Sequence, residues 1–292
     1  MDADSFRPGA RAGSWPPGAT RTARGSLSRP RALARGLLRP VYALYARRLW
    51  QQVHGGGAVP RHLAVILDGN RRFTRRSGLD SVEQGYATGG ERVFDVLKWS
   101  QSAGIRAVTL WAASLDNLQR PPEDLEPLFC VLEETVRNLT TAATREGWCL
   151  RVIGRRELLP SSLREALDQA EDGTTPNRKL VVQLAIGYGG REEIVDAVRR
   201  WASDGCVRGL PVEEALFNLT PEQLQPHLYG GDLPDPDLIL RTSGEVRLSG
   251  FLLWQSVYSE FYFTDVLWPA FREVDFLRAL RSYQGRHRRF GF

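Results

Sequence analysis

A short run of polar residues follows the first apolar segment of the chain and carries the groups needed to hold a metal-bound phosphate. Residues 63–67 are apolar without interruption, which is typical of a strand buried on both faces. The residues that follow are Asp68, Gly69, Asn70, Arg71 and Arg72. A carboxylate can bind Mg²⁺, and N–H groups at the start of a helix bind phosphate. A β-turn with a solvated charge cluster explains the same run equally well, because Asp-Gly-Asn also favours turns.

Polar side chains also follow three other predicted strands. After the second strand they are Ser114, Asp116, Asn117 and Arg120, and after the fourth they are Tyr188, Gly189, Gly190 and Arg191. After the fifth they are Arg241, Thr242, Ser243, Gly244, Glu245, Arg247 and Ser249. Ligands of open parallel sheets bind at the carboxyl ends of the strands, so these groups are expected at one site. A single arginine is usually a solvated surface residue, but several past successive strands indicate a receptor for two phosphate-rich groups.

Other chemistries lack their sequence motifs. The chain contains no P-loop, no G-x-G-x-x-G after a strand and no G-x-S-x-G nucleophile elbow. Its four histidines are isolated, and Cys130, Cys149 and Cys206 form no metal or disulfide pattern, which indicates a reducing compartment. Magnesium-assisted chemistry on diphosphates is the class that remains.

The elements that must position these groups alternate along the chain. Buried strands are predicted at 63–67, 106–113, 149–154, 179–186 and 237–240. Helices are predicted at 91–103, 123–145 and 191–202, with another that Ser161 or Ser162 caps, and the chain closes with helix, strand and helix. This alternation predicts an α/β fold with a single, mainly parallel central sheet and helices on both faces. The apolar stripes of helices 91–103 and 123–145 are candidates to line an apolar tunnel.

Charge divides the chain into a basic leader and a near-neutral domain. Residues 1–57 contain ten arginines against Asp2 and Asp4, a local net charge of +8. Since the whole chain carries +5, the remainder carries −3, which argues against a nucleic-acid-binding domain. Gly-rich residues 55–57 are a flexible break, so we predict a leader at 1–57 and a catalytic domain at 58–292.

The leader has two parts of different composition. Residues 1–29 are rich in Arg, Gly, Pro and Ser and are predicted to be disordered. Residues 30–53 repeat leucines at helical spacing with arginines between them, and Pro40 is expected to start a second piece of helix. Two alternatives remain for this segment: a helix on an anionic membrane surface or a helix packed on the domain. No apolar run is long enough to span a membrane and no signal peptide is recognised, so a cytoplasmic location is expected, with peripheral contact at the membrane as the alternative.

Five motifs, in order from about residue 60 to the end, resemble the cis-prenyltransferases, the undecaprenyl diphosphate synthase family. They read H-L-A-V-I-L-D-G-N-R-R-F, A-S-L-D-N-L-Q-R-P, Y-G-G-R-E-E-I, D-L-I-L-R-T-S-G-E-V-R-L-S-G-F-L-L-W-Q and S-E-F-Y-F-T-D-V-L-W-P. The leader run V-Y-A-L-Y-A-R-R-L and the N-R-R variant are most similar to actinobacterial short-chain Z-prenyl synthases. The resemblance implies a Mg²⁺-dependent homodimer that condenses isopentenyl diphosphate with a short allylic diphosphate to give a Z-prenyl diphosphate.

The resemblance also implies roles for individual residues. Asp68 is implied as the Mg²⁺ ligand and essential carboxylate, and Glu260 as a second acidic metal position. Those implied to bind substrate are Gly69, Asn70, Arg71 and Arg72 for the allylic diphosphate, Arg241, Arg247 and Ser249 for isopentenyl diphosphate, and Asn117 and Arg120 beside the reacting carbons. Ser114 is a further candidate for substrate binding. The arm formed by Arg289, Phe290 and Gly291 is implied to lie near the active site of a partner subunit.

Of the departures from the family pattern, two change groups that could take part in the chemistry and leave alternatives open. Tyr86 stands where the family usually has a histidine, and Val246 replaces a histidine between Glu245 and Arg247. A phenol with a pKa of about 10 is a poor base at neutral pH but can donate a hydrogen bond, so Tyr86 is kept as a catalytic candidate with Asp68 and Asn117. Regular chain elongation is favoured. Irregular, lavandulyl-type coupling or cyclisation is the alternative, and a catalytically silent subunit is third because the chain keeps Asp68-Gly69-Asn70.

Overall fold

Six parallel strands form one sheet in the part of the chain that the computed structural model describes, residues 30–204 and 212–286. The strands are β1 (His62–Ile66), β2 (Ala107–Ser114), β3 (Trp148–Ile153), β4 (Leu180–Tyr188), β5 (Leu238–Arg241) and β6 (Glu260–Phe263). Their order is β3-β4-β2-β1-β5-β6, and every adjacent pair is parallel. All carboxyl ends therefore lie at one edge, and the predicted α/β fold with a parallel central sheet is confirmed.

Helices cover both faces of this sheet. Within the described ranges they are α1 (Pro30–Gly55), α2 (Asn70–Ser77), α3 (Val82–Ala103), α4 (Pro122–Glu146), α5 (Ser161–Thr174), α6 (Gly190–Ser203), α7 (Val212–Phe217), α8 (Pro221–Leu224) and α9 (Glu273–Gln284). Leu63 and Val65 of β1 join the large core with α3, α4 and α9. Ala64 and Ile66 face the other way and pack with Phe251 in a second core. The strand is apolar throughout because both of its faces are buried.

Two helix starts differ from the predictions. α3 begins at Val82 rather than at residue 91, because the Ser81 side chain caps it by accepting a hydrogen bond from the Gln84 N–H. α5 begins at Ser161 with Pro160 in the N-cap position and no side-chain cap, so the predicted serine cap is wrong. Proline suits that position because its fixed φ is compatible with a helix start and it has no N–H to pair.

The helix predicted between β5 and β6 is also wrong. Residues 249–258 form consecutive turns instead. Ser249, Gly250 and Leu252 have φ values of 53°, 92° and 45°, which a right-handed helix cannot contain. Phe251 and Leu252 are buried in the second core, so tertiary packing outweighs the local helical tendency here.

α1 is one continuous helix across Pro40, where two pieces are predicted. A proline inside a helix removes one backbone hydrogen bond, but this 26-residue helix continues past Pro40 without that bond. Leu49 and Val53, near its C-terminal end, are buried in the large core, and Trp50 Nε1 donates to Glu273 Oε1 at 2.8 Å. This end of α1 therefore packs on the domain, as one of the two alternatives predicts.

The chain divides into two compact units, Met1–Val41 and Tyr42–Phe292. Residues 1–29, Cys206 and the predicted arm at Arg289, Phe290 and Gly291 lie outside the described residues. The domain boundary between 57 and 58 stays a prediction. None of the helices in the described ranges combines the length and the apolar character needed to cross a membrane.

His62 is a buried histidine that should make the stability of the fold depend on pH. Its side chain contacts the Pro234 carbonyl oxygen at 2.6 Å and Thr109 Oγ1 at 2.8 Å. Burial lowers the pKa of His62 more than the Pro234 hydrogen bond and the charge of Asp237 raise it. As pH falls below about 6.5 the unfolded chain therefore binds a proton more readily than the fold does. We expect the free energy of unfolding to fall by up to about 1.4 kcal/mol per pH unit in that range.

Urea unfolding at a series of pH values measures this dependence. His62→Gln keeps a polar side chain and should lose most of the slope, whereas His54→Gln, at an exposed position, should keep it. A slope that is the same in the His62→Gln protein and the unmodified protein would contradict the assignment.

Candidate active site

The glycine turn after β1 begins a helix. Gly69 has a φ of 109°, and a Cβ atom there would lie 2.9 Å from Leu267 Cδ2, so other residues would be strained. α2 starts at the next residue, Asn70, and the first N–H groups of a helix have no partner within it. The turn therefore presents unpaired donors and the positive end of a helix dipole beside Asp68.

Asp68 lies between two arginines. Its Oδ2 accepts a hydrogen bond from Arg241 Nη2 at 3.0 Å, and its Oδ1 lies 3.5 Å from Arg72 Nη2. Partial burial raises the pKa of Asp68, but hydrogen bonds from Arg241 and Ser243 and the charges of Arg241 and Arg72 outweigh it, so the pKa lies below its usual value. The carboxylate is therefore ionised throughout the neutral range.

Arg241 organises the loop that follows β5. Its side chain is buried, and Nη1 donates to Ser249 Oγ at 2.9 Å and to the Arg247 carbonyl oxygen. Arg72 reaches the same loop and donates to Ser243 Oγ at 2.6 Å. Ser243 has a φ of 83°, which is uncommon for serine, and the contacts around it hold this conformation.

A cleft of about 700 Å³ brings together almost all of the predicted site residues. They are Asp68, Gly69, Asn70, Arg71, Arg72, Tyr86, Ser114, Asn117, Arg120, Arg241, Arg247 and Ser249. Arg75, Asp116 and Glu245 also line the cleft, so six arginines face three carboxylates and the lining carries a formal net charge of +3. Such a surface suits a ligand with several negative charges.

A reciprocal pair of hydrogen bonds positions the turn after β2. The Ser114 N–H donates to Asn117 Oδ1 at 3.3 Å, and the Asn117 N–H donates to Ser114 Oγ at 3.1 Å. Both side chains line the cleft. The turn therefore holds an amide and a hydroxyl group at fixed positions beside the arginines.

Tyr86 lies where the cleft meets an apolar cavity. Its side chain is buried, and its hydroxyl makes no well-formed hydrogen bond with a described residue, although the Arg120 guanidinium is close enough to interact with it. Burial raises the pKa of Tyr86, and the nearby charges of Arg120 and Arg71 offset only part of that increase. The phenol is therefore protonated at neutral pH and can donate a hydrogen bond to an anion, but it is not a base.

The apolar cavity has a volume of about 60 Å³ and lies between α3 and α4. Its walls include Gly89, Gly90 and Val93 on α3 and Leu128, Val131, Leu132, Thr135, Val136 and Leu139 on α4. Five residues line both this cavity and the cleft: Leu67, Asn70, Tyr86, Ala112 and Leu128. A ligand can therefore place a charged group in the cleft and an apolar chain between the two helices that are predicted to line a tunnel.

Four buried polar atoms around the cleft have no hydrogen-bond partner among the described residues. They are Asn70 Oδ1, Tyr86 Oη, Trp111 Nε1 and Arg241 Nε. Buried polar groups are nearly always paired, so this set indicates atoms that pair with a polar ligand. Trp111 is absent from the predicted site because a tryptophan in an apolar strand suggests core. Trp111 lines the cleft because it lies near the carboxyl end of β2. Its ring stacks on Phe251 at 5.0 Å between ring centroids.

Glu260, predicted as a second metal ligand, lies at the opposite end of the sheet. It begins β6 and pairs with Leu238, which begins β5 and is in register with Leu63. Asp68 lies five residues beyond Leu63, a distance of about 16 Å along a strand. Within one chain Glu260 therefore does not reach Asp68, and its Oε2 pairs with Arg286 Nη1 at 2.6 Å.

Tyr188 is buried behind the cleft rather than exposed in it. Its hydroxyl donates to Glu193, which has no exposed surface and also accepts from the Tyr229 N–H at 2.8 Å and from Gln255 Nε2 at 2.9 Å. Burial raises the pKa of Glu193 more than these hydrogen bonds lower it. This network joins β4 to the loop after β5. Gly189, Gly190 and Arg191 line a neighbouring cavity of about 390 Å³ that shares Ser114 and Ser249 with the cleft.

The donor set of the cleft suits a divalent cation that is shared with a phosphate ligand. Within the described residues, no group of three or more His, Cys, Asp and Glu side chains could hold a metal by itself. Mg²⁺ is usually bound by one or two carboxylates together with substrate phosphates and water. Asp68, ionised and on the cleft surface, meets that requirement. Val246 is 73% exposed and supplies no ligand where the family pattern has a histidine.

Comparisons with known proteins agree with this geometry. The model of the undecaprenyl diphosphate synthase family matches residues 66–291. A (2Z,6E)-farnesyl diphosphate synthase of Thermobifida fusca is 51% identical over 257 residues, covering 88% of this chain and 99% of that protein. A short-chain Z-isoprenyl diphosphate synthase of Mycobacterium leprae is 46% identical over 256 residues, covering 87% and 97%. The crystal structure of lavandulyl diphosphate synthase from Lavandula x intermedia in complex with dimethylallyl diphosphate has a TM-score of 0.75 at 34% identity, covering 80% and 99% of the two chains.

Proposed function

The chain belongs to the undecaprenyl diphosphate synthase family of cis-prenyltransferases, and on that premise we propose that it condenses isopentenyl diphosphate with a short allylic diphosphate to give a Z-prenyl diphosphate. The observation that carries the proposal is that a positively charged cleft meets an apolar cavity. A cleft with a net charge of +3 opens onto an apolar cavity, and Tyr86 and Asn70 line both. A prenyl diphosphate has the same two parts, a polyanionic head and an apolar chain.

The two ends of the cleft divide the substrates between them. We assign the allylic diphosphate to the start of α2, where Gly69 to Arg72 supply backbone N–H groups and guanidinium groups. Isopentenyl diphosphate is assigned to Arg241, Arg247 and Ser249 in the loop after β5. Asn117, Arg120 and Ser114 lie on the β2 side of the cleft and orient the reacting groups.

The reaction breaks the allylic C–O bond and joins the allylic carbon to the double bond of isopentenyl diphosphate. The diphosphate leaves as the allylic C–O bond breaks, and the isopentenyl unit then loses a proton to that released diphosphate or to water, which forms the new Z double bond. Asp68 and the substrate phosphates would hold Mg²⁺, which supplies positive charge next to the leaving group. Arg71, Arg72 and Arg120 stabilise the same developing negative charge from the protein side.

Product analysis tests this proposal directly. Purified protein is incubated with Mg²⁺, isopentenyl diphosphate and dimethylallyl, geranyl or farnesyl diphosphate, and the products are identified by mass spectrometry and NMR. A linear Z product supports elongation. A branched or cyclic product supports the alternative of irregular coupling, which the resemblance in fold to lavandulyl diphosphate synthase keeps open. No turnover with any primer would contradict both and favour a silent subunit.

The Tyr86 hydroxyl is proposed to donate a hydrogen bond to the allylic diphosphate as it leaves. Tyr86→Phe keeps the ring and removes this donor, so kcat/KM for the allylic substrate should fall by about tenfold or more, the value of a hydrogen bond to a charged group. Tyr86→His should restore part of the loss. If kinetic constants of Tyr86→Phe match the unmodified enzyme, the hydroxyl has no such role.

The small cavity supports a short product, in agreement with the names of the related synthases. Leu139 lies eleven residues beyond Leu128 on α4, or about 16 Å further from the cleft. Leu139→Ala should deepen the cavity and lengthen the main product by at least one isoprene unit, as measured by mass spectrometry. Leu97→Ala is the matched control, because Leu97 is equally buried, on α3, and does not line the cavity. Identical products from both variants would contradict the assigned path of the chain.

A homodimer is also proposed. β6 is an edge strand, and its Phe261 and Phe263 are only half buried and stack on each other at 6.2 Å between centroids. Val257, which precedes this strand, is 70% exposed. Exposed edges with apolar side chains pair readily with a second chain. Light scattering should give a mass of two chains, and Phe261→Asp should shift it to one.

We further propose a cytoplasmic location with peripheral contact at a membrane through residues 30–53. The support is the arginine-rich composition of this segment and the pattern of isolated cysteines.

A further inference from the structure

One surface of the protein combines exposed apolar side chains with arginines. We call it the α1–α9 face and define it by Tyr42, Leu44, Tyr45, Arg47 and Arg48 on α1, with Arg272 at the N-cap of α9 and Arg278 on α9. Leu44 is 71% exposed and Tyr42 is 43% exposed, although Leu49 and Val53 on the same helix are buried. Apolar side chains that remain exposed on a packed helix, with charged residues around them, mark an interaction surface.

The aromatic and cationic groups of the α1–α9 face are arranged in pairs. The Arg272 guanidinium lies 4.9 Å from the centre of the Tyr42 ring, and that of Arg278 lies 5.5 Å from the Tyr45 ring. Each pair holds a positive charge beside an aromatic ring. This combination suits the headgroup region of a bilayer, where aromatic rings and arginines lie together.

The acidic side chains near this face already form ion pairs or hydrogen bonds with neighbouring residues. Asp275 pairs with Arg272 at 3.3 Å and with Arg278 at 3.7 Å, and Glu273 accepts a hydrogen bond from Trp50. α1 itself contains no acidic residue. Arg47 and Arg48, both exposed, therefore supply most of the uncompensated positive charge.

We infer that the α1–α9 face binds the surface of an anionic lipid bilayer, with Leu44 and the tyrosines among the headgroups and Arg47 and Arg48 at lipid phosphates. The inference rests on the membrane contact proposed above and does not depend on the chemistry of the cleft. Charge complementarity favours this occupant, because residues 1–57 carry +8 and the remainder carries −3. A second copy of the chain fits less well, since it would bring the same arginines towards each other.

Vesicle sedimentation with the full-length protein tests the inference. The probes are vesicles of phosphatidylcholine alone and of phosphatidylcholine with phosphatidylglycerol. We expect sedimentation only with the anionic vesicles, and weaker sedimentation at high salt. Leu44→Ser/Tyr45→Ser and Arg47→Glu/Arg48→Glu should each weaken binding by about tenfold or more. Turnover of short, water-soluble substrates should be unchanged in both variants, which separates a failure of this inference from a failure of the proposed reaction.

Two matched controls make the same chemical changes elsewhere. Leu216→Ser/Phe217→Ser removes exposed apolar side chains from α7, and Arg145→Glu/Arg178→Glu reverses two exposed charges, one on α4 and one in the connection between α5 and β4. Both controls should sediment like the unmodified protein. No sedimentation with anionic vesicles, or equal sedimentation of all variants, would overturn the inference. A change of oligomeric state in Leu44→Ser/Tyr45→Ser by light scattering would assign the face to a second copy instead.

Discussion

Replacing Asp68 by alanine should lower kcat by about a thousandfold or more, because the change removes the carboxylate proposed to bind Mg²⁺ beside the leaving diphosphate. In the described structure Asp68 is the acidic residue that contacts both Arg72 and Arg241, and its depressed pKa keeps it ionised at neutral pH. A drop in activity between about pH 5 and 7 therefore cannot come from protonation of this group. Steady-state kinetics at saturating substrate and Mg²⁺ measure the effect.

Binding measurements show whether Asp68→Ala loses only its catalytic activity or also its folded structure. Asp68→Ala frees Arg72 and Arg241 from their carboxylate partner, so calorimetric binding of isopentenyl diphosphate without metal should persist or become tighter. Asp232→Ala is the control, because Asp232 also pairs with an arginine, Arg151, at 2.5 Å but lies away from the cleft. If Asp68→Ala keeps its kcat, the metal assignment is wrong.

Arg241→Lys should reduce kcat/KM for isopentenyl diphosphate by about a hundredfold, which is about 2.7 kcal/mol of transition-state stabilisation. The guanidinium donates at once to Asp68, to Ser249 and to the Arg247 carbonyl oxygen. A lysine ammonium is a point charge without this planar fork and cannot hold all three groups in the same geometry. The loop after β5 should then lose its fixed position relative to Asp68.

The effect of Arg241→Lys should fall mainly on isopentenyl diphosphate. Substrate-dependence curves for each substrate separate the two, and KM for the allylic substrate should change much less. Arg151→Lys is the matched control, since it alters a similar arginine–aspartate pair at a distant place. Equal losses for Arg241→Lys and Arg151→Lys would indicate a general effect on stability rather than a role in substrate binding.

The two departures from the family pattern have different consequences in the structure. Tyr86 lies at the junction of cleft and cavity, so a tyrosine in place of the usual histidine alters the groups that are proposed to contact the substrate. Val246 is mostly exposed and supplies no metal ligand, so the proposed metal site consists of Asp68 and the substrate phosphates. The prediction of regular elongation agrees with the family membership and with the relatives named as Z-farnesyl and short-chain Z-isoprenyl diphosphate synthases.

Features that depend on neighbouring residues could be predicted from the sequence. The apolar run of β1, the glycine turn and the start of α2 follow from local chemistry, because a buried strand, a residue with positive φ and a helix start each need particular residue types in order. The alternation of strands and helices also predicts a parallel sheet, and a parallel sheet predicts the edge where polar groups meet. Eleven predicted site residues that follow the strands therefore line one cleft, whereas Tyr86, which also lines it, was expected there only from the family resemblance.

Features that depend on the register of distant strands were decided only by the tertiary structure. The pairing of β5 with β6 places Glu260 at the amino end of the sheet. The residues next to Glu260 in the sequence do not predict that register. The positive φ values of Ser249 and Leu252 replace a predicted helix by turns, because burial of Phe251 is worth more than helical hydrogen bonds in that loop. Trp111 and the partners of Asp68 likewise meet across strands, where contacts follow from packing in three dimensions rather than from sequence spacing.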